Sequence, residues 1–407
     1  MSDVLYLGLG RIGLPTALLS CNKKNRVIGY DINKDLINNL KKGYLNYNEN
    51  NIKILLKKNI ENKKIIFSKE VITSDIFVIT VPTPLKKNKT SNLQCVYDCI
   101  KKIMKVLKKN DLIILESTVP IGTVNHIKSL IDKKKPSLID NYFLSYCPER
   151  ILPGNTINEL KKNVRIIGGI NQQSNKRSIN FYNSFLKVKY FITNSKTAEM
   201  IKLSENSFRD VNIAFANELM KLADDHNINI NDVVKGANLH PRVNILQPGI
   251  GVGGHCIPID PYFLLENYRK NNDLSLINKA RDINNYQPRY IFKKLTNYIK
   301  NNIRYKSKNL KIGILGITYK ANTDDIRESP AIELIQILKK NNNYQVFYHD
   351  PFIKKISSNN LKRIDLKSLI RNSDILIKLV SHKEYNNIKN NNNQKTNNLL
   401  SIDNGFI

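Results

Sequence analysis

The chain has 407 residues, 41% of them apolar, and a formal charge of +31. That is enough apolar chain for two or three packed domains, and no run approaches the roughly 20 apolar residues of a membrane span, so no membrane insertion is expected. The five cysteines show no paired spacing beyond Cys95 and Cys99, and MSDVLYLGLGRIGLPT has no basic leader, so the chain reads as cytoplasmic and reduced. The lysines are spread along the whole chain beside Asn and Ile, as A/T-rich codons would place them, so nucleic acid is not expected as a partner; no metal is expected either.

Residues 4–7 (VLYL) are read as a strand, 13–21 as an apolar helix and 26–32 (RVIGYDI) as a second strand. Between the first two stands GLGRIG, Gly8 to Gly13, and Asp31 follows the third glycine by 18 residues. The glycines Gly8, Gly10 and Gly13 permit a tight turn and a close pyrophosphate, with Arg11 and Ile12 in the same loop. Asp31 then either hydrogen-bonds the ribose hydroxyls, which selects NAD over NADP, or is a turn residue. Three further strands, 76–82, 111–118 and 142–148, end in polar or proline-containing loops that hold Thr83, Thr118 and Glu149. Ligands gather at such carboxyl ends in an open parallel sheet. Strands at 164–170 and 189–194 complete this part.

From Thr197 to His226 the apolar positions recur at three and four with no Gly or Pro, which predicts one helix of about 45 Å. Lys202 and Asn206 share a face of it, although a helical lysine is usually just solvated. GVGGHCIPIDPY (251–262) then sets Cys256 behind a glycine pair and four residues before Asp260. Glycine clearance and nearby N–H groups favour a reactive thiolate; a buried small hydrophobe is the other reading of a lone cysteine. A second α/β pattern follows: strands at 310–320, 344–350, 373–382 and 399–403, and a helix at 331–340. Lys293 to Lys308 reads as a helix tail and linker. The fold class is therefore α/β: two Rossmann-like domains, 1–196 and 309–407, joined by a long helix and a small helical region, 197–308.

GLGRIGLP, VPTP, ESTVPIGT, YCPERILPG, TAEMIKLSENSFRDVNIAFANEL, GVGGHCIPIDPY and ITYKANTDDIRESPA stand in that order and cover nearly the whole chain. Together they resemble the UDP-glucose/GDP-mannose dehydrogenase family, NAD-dependent enzymes that oxidise a nucleotide sugar twice to its uronic acid. GGHC in place of GGSC resembles the N-acetylhexosamine branch. The resemblance implies a UDP-sugar bound by the third region, with UDP-N-acetyl-D-mannosamine expected over its epimers. It also implies a homodimer or larger homo-oligomer with its seam in the central region.

The resemblance makes Cys256 the nucleophile, Lys202 the cation for oxyanions, Asn206 its hydrogen-bonding neighbour and Asp260 a proton handler. It assigns Thr118 and Glu149 to water and thioester hydrolysis, and implies that Arg327 contacts NAD. Substrate contacts are implied for Glu149, Arg150, Lys202, Asn206, Arg242, Asn244, Gly253 and Lys320. Two other classes fit part of this pattern. A simple hydroxyacid dehydrogenase needs no cysteine, and a basic binding protein on a dehydrogenase fold needs none of these residues intact.

Overall fold

Successive residues of the first strand, β1 (Ser2–Leu7), serve two different cores. Leu5 and Leu7 pack with Ile28, Phe77 and Ile113, while Val4 and Tyr6 pack with Val27, Val78 and Leu14. A sheet buried on both faces needs apolar residues at every position, which is why these strands read as unbroken apolar runs. The computed structural model describes residues 1–45, 47, 49–151, 155–268, 275–302, 310–354, 361–388 and 398–401. The chain divides into two units, residues 1–205 with 262–270, and residues 206–261 with 271–407.

In the first unit β1 is joined by β2 (Asn25–Tyr30), β3 (Ile65–Ser68), β4 (Ile76–Ile79), β5 (Leu112–Leu115), β6 (Phe143–Tyr146), β7 (Arg165–Gly169) and β8 (Tyr190–Asn194). Their order is β3-β2-β1-β4-β5-β6-β7-β8. The order reverses direction at β1 and β4, which makes the crevice where such sheets bind ligands. The first six strands are parallel, but β7 runs antiparallel to β6. The sequence pattern of a doubly buried strand carries no direction, so this reversal was not foreseen. Nor were β3 and the helices Lys34–Lys41 and Asn50–Glu61, whose apolar positions are diluted by Lys and Asn.

The helix read over 197–226 spans Ser195–Asp225 and passes from the first unit to the second after Glu205. In the second unit β9 (Leu310–Leu315), β10 (Tyr344–His349), β11 (Lys362–Arg363), β12 (Ile375–Lys378) and β13 (Asn398–Ser401) form a parallel sheet ordered β11-β10-β9-β12-β13. The helix Pro330–Lys339 lays Leu334, Ile335 and Leu338 on the core around β9. A second long helix, Ser275–Asn302, was expected only as a tail, because Pro288 interrupts its pattern. The linker expected up to Lys308 lies outside the described residues from 303, as do residues 402 and 403 of the last expected strand. Among the described residues no helix is long and apolar enough to cross a membrane.

Candidate active site

The glycine turn of the first unit is shaped by collisions that a side chain would cause. Gly8 has φ +97°, and a Cβ on Gly13 would lie 2.1 Å from the carbonyl oxygen of Gly8. At Gly10 a Cβ would meet nothing within 4 Å, so the backbone there faces open space. Ile12 is the N-cap residue of helix Gly13–Ser20, and the Arg11 guanidinium lies over the Tyr47 ring at 5.2 Å. Asp31 Oδ2 accepts the Leu9 N–H at 2.8 Å and Oδ1 accepts that of Asn33. The aspartate therefore braces the glycine loop and makes a local turn, and its remaining lone pairs are left to a ribose. An open backbone cradle, a helix N-terminus and an acid at the end of β2 fit NAD.

The loops after β4 and β5 are tied together: Thr83 Oγ1 donates to the Thr118 carbonyl at 2.7 Å. The ESTVPIGT loop is fixed again by a residue that sequence reasoning missed. Buried Glu199 accepts the N–H groups of Gly122 and Val124, at the start of helix Thr123–Lys134. Burial pushes its carboxyl up to about 7. Glu199 and Lys202 are three apart on one helix, so the same anchor orients Lys202. Lys202 is itself buried and donates from Nζ to the Glu149 carbonyl at 2.8 Å. That rules out the ordinary solvated lysine.

The Glu149 side chain joins a buried ionic cluster that the sequence did not reveal. One guanidinium nitrogen of Arg165, Nη2, donates to Glu149 Oε2 at 2.9 Å and to Glu116 Oε1 at 2.8 Å. The Tyr182 hydroxyl also donates to Glu116 Oε1, at 2.6 Å. Burial first, then Glu149, pushes the Glu116 carboxyl up to about 7 against the pull of Arg165. Arg150, expected at the substrate, is paired with Glu205 at 2.7 Å. A cavity of about 10 Å³, the size of one water, opens against Glu149, Arg150 and Arg165.

In the second unit the polar face of the long helix holds the cysteine segment. Asn212 accepts the Leu246 N–H and donates to the Asn244 carbonyl, and Asn217 accepts the Gly249 N–H. Asp210 pairs with Arg281 in the core. These residues fix the chain that leads into GVGGHC. The carbonyl of Cys256 accepts the Asp260 N–H at 2.9 Å, and Asn206 Nδ2 donates to Asp260 Oδ2 at 2.5 Å. Cysteine, aspartate and asparagine are thus linked by one turn and one side-chain bond.

The glycine pair before Cys256 clears the chain's own atoms rather than a ligand. A Cβ on Gly253 would lie 2.6 Å from the Glu328 carbonyl, and one on Gly254 2.9 Å from the Tyr319 ring. The space is filled by the chain's own 319–330 segment, and the Gly254 N–H donates to the Arg327 carbonyl. The Arg327 guanidinium is bound to Asp325, which pushes its pKa up; burial opposes this, and Asp325, Tyr319 and Cys256 add to it. A cation in electrostatic reach of a cysteine favours thiolate. Lys320 is exposed, with its carbonyl capped by Thr318 and Thr323. Arg242 and Asn244 lie in an exposed loop, residues 238–244; the Asn244 carbonyl is held by Asn212, and the Arg242 side chain joins none of these clusters.

Three domains of one family match in order: the NAD binding domain over residues 2–186, the central domain over 196–286 and the UDP binding domain over 313–404. A UDP-N-acetyl-D-mannosamine dehydrogenase of Campylobacter jejuni is 39% identical over 398 residues, covering 94% of this chain and 96% of the relative. An NDP-N-acetyl-D-galactosaminuronic acid dehydrogenase of Ralstonia nicotianae is 35% identical, covering 94% and 91%. The solved UDP-D-ManNAc dehydrogenase of Pyrococcus horikoshii superposes with TM-score 0.90 at 33% identity, covering 99% of this chain and 95% of that one. The chain belongs to the UDP-glucose/GDP-mannose dehydrogenase family and is an NAD-binding nucleotide-sugar dehydrogenase.

Proposed function

We propose that this enzyme oxidises the primary alcohol of UDP-N-acetyl-D-mannosamine to the carboxylate of UDP-N-acetyl-D-mannosaminuronate, in the cytoplasm, as a precursor of cell-surface polysaccharide. The observation that carries the chemistry is the turn from Cys256 to Asp260, with Asp260 held by Asn206. The sugar is supported by 39% identity, over nearly full length, to a relative named for that substrate. The Ralstonia relative supports an N-acetylgalactosamine-type substrate as the second reading.

Bound NAD supplies the hydride acceptor for both oxidations. A free aldehyde is a poor hydride donor, so Cys256 adds to the first product as thiolate and restores a tetrahedral oxyanion that can lose hydride again. Lys202 stabilises that oxyanion, an effect worth about 3 kcal/mol for a preorganised donor. The second oxidation leaves a thioester on Cys256. Asp260, kept in place by Asn206, handles the protons, while Thr118 and Glu149 serve the hydrolytic water. The balance is one alcohol, two NAD and one water giving one carboxylate, two NADH and three protons. Counting NADH per UDP-sugar consumed tests this directly. Two are expected; one indicates a simple dehydrogenase and none a binding protein.

Assembly belongs to the same reading. Phe208, Phe215 and Leu222 recur every seven residues on the long helix, with exposures of 67%, 50% and 56%. A seven-residue apolar stripe fits a second helix of the same kind. A second copy therefore covers the stripe, and the exposed loop with Arg242 and Asn244 reaches that copy's substrate. Light scattering should give at least twice 46.8 kDa. A single-chain mass at working concentration overturns the dimer.

A further inference from the structure

We propose that Glu116, Arg165 and Tyr182 are positioning residues for Glu149, fixing its carboxylate and setting, through the charge on Glu116, how strongly it draws a proton from the hydrolytic water. The proposal rests on the reading that Glu149 serves thioester hydrolysis. In that step the water oxygen bonds to the thioester carbonyl carbon and one water proton passes to Glu149. The C–S bond breaks with its electron pair on the Cys256 sulfur, and the acid so formed ionises.

Two carboxylates share one guanidinium nitrogen, and all three side chains are buried. Two buried carboxylates meet on one guanidinium nitrogen, while the Lys202 ammonium is bonded to the Glu149 carbonyl and to neither carboxylate, and a proton on one carboxylate relieves their repulsion. The groups facing the cluster show where that proton goes. Tyr182, from helix Gln172–Asn183, and Tyr6, from β1, are both pushed well above the ordinary phenol range, chiefly by burial. Cys147, just past β6, is pushed up to about 12 by burial. Arg165, whose burial is outweighed by Glu149, Tyr182 and Glu116, is raised further and keeps its charge. These neighbours hold one charge state across neutral pH, so Glu116 is left to titrate there.

The geometry gives Glu116 the means to act on Glu149. Arg165 is fixed from below by the Tyr182 ring, its guanidinium carbon 4.2 Å from the ring centroid. It cannot follow one carboxylate without weakening its bond to the other. With Glu116 protonated, the Arg165 charge serves Glu149 alone and makes it a weaker base. With Glu116 ionised, Arg165 is shared and like-charge repulsion makes Glu149 a stronger base. The Glu149 backbone is held independently by Lys202 Nζ, and its Oε1 accepts the Arg150 N–H, so only Oε2 responds to the cluster.

The test uses the whole enzyme with NAD and a UDP-sugar, following NADH release and covalent acyl-enzyme by intact-protein mass spectrometry across about pH 6–9. In the parent enzyme, acyl-enzyme breakdown should rise roughly 3- to 10-fold as Glu116 loses its proton. Glu116→Gln, which keeps the shape and removes the charge, should flatten that rise at the slow limit while both hydride steps keep their rates. Arg165→Lys should slow breakdown about 10-fold and let acyl-enzyme accumulate, since an ammonium lacks the planar group that stacks on Tyr182 and fixes the donor between the two carboxylates. An unchanged pH profile in Glu116→Gln overturns the proposal. So does equal slowing of the hydride steps and the hydrolysis in that variant, which marks a merely structural role. Glu149→Gln separates the two levels: acyl-enzyme should accumulate, and its failure to do so removes the role of Glu149 itself.

Discussion

Cys256→Ser is expected to abolish uronate formation, with a loss of about 10³-fold or more in the four-electron reaction. The change is nearly isosteric, so the turn from residue 256 to Asp260, made by the backbone, should survive. The chemistry does not survive. A serine hydroxyl ionises far above neutral pH, and no tetrahedral adduct then forms to make the aldehyde a hydride donor. Slow release of aldehyde, or one NADH per sugar, is the residual activity to expect. The measurement is uronate formed per NADH, with thermal unfolding followed in parallel. Uronate production near the parent rate in a folded variant would sink the covalent mechanism.

The second large effect concerns the sugar. The value of kcat/KM is expected to be highest for UDP-N-acetylmannosamine, much lower for UDP-N-acetylglucosamine and lowest for UDP-glucose, where the loss reaches about 10⁴-fold. A site built to hydrogen-bond an acetamido group leaves buried polar groups unpaired when a hydroxyl replaces it. An epimer keeps the acetamido but points it elsewhere, so it is rejected by clash. The assay is initial rate of NADH formation at saturating NAD for each sugar, with UDP-N-acetylgalactosamine included. If UDP-glucose came first, the GGHC argument and the sugar assignment would both fall. If another N-acetylated epimer came first, only the epimer would change.

The sequence by itself determined most of this protein's outline. Gly8, Gly10 and Gly13, followed by Asp31, declared the dinucleotide turn, because a Cβ at Gly8 or Gly13 would collide with the turn and Gly10 leaves the backbone open. The uninterrupted period of three and four predicted the helix Ser195–Asp225 to within two residues. GGHC, with Asp260 four residues on, marked the cysteine segment, since its spacing is local and local spacing is what a sequence displays.

Tertiary structure decided what depends on distant partners. The direction of β7 is invisible in an apolar run that is buried on both faces. Gly253 and Gly254 read as clearance for a ligand, yet Tyr319, the Glu328 carbonyl and the Pro330 ring, some 65 to 77 residues away, fill the space. Glu199 caps the start of helix Thr123–Lys134, more than 70 residues earlier in the chain, by accepting the N–H groups of Gly122 and Val124. Arg165 joins Glu116, 49 residues before it, to Glu149. A charged residue within an apolar strand reads as an interruption until the fold supplies its counter-charges. Burial turns those same residues into one ionic cluster, and no linear spacing encodes burial.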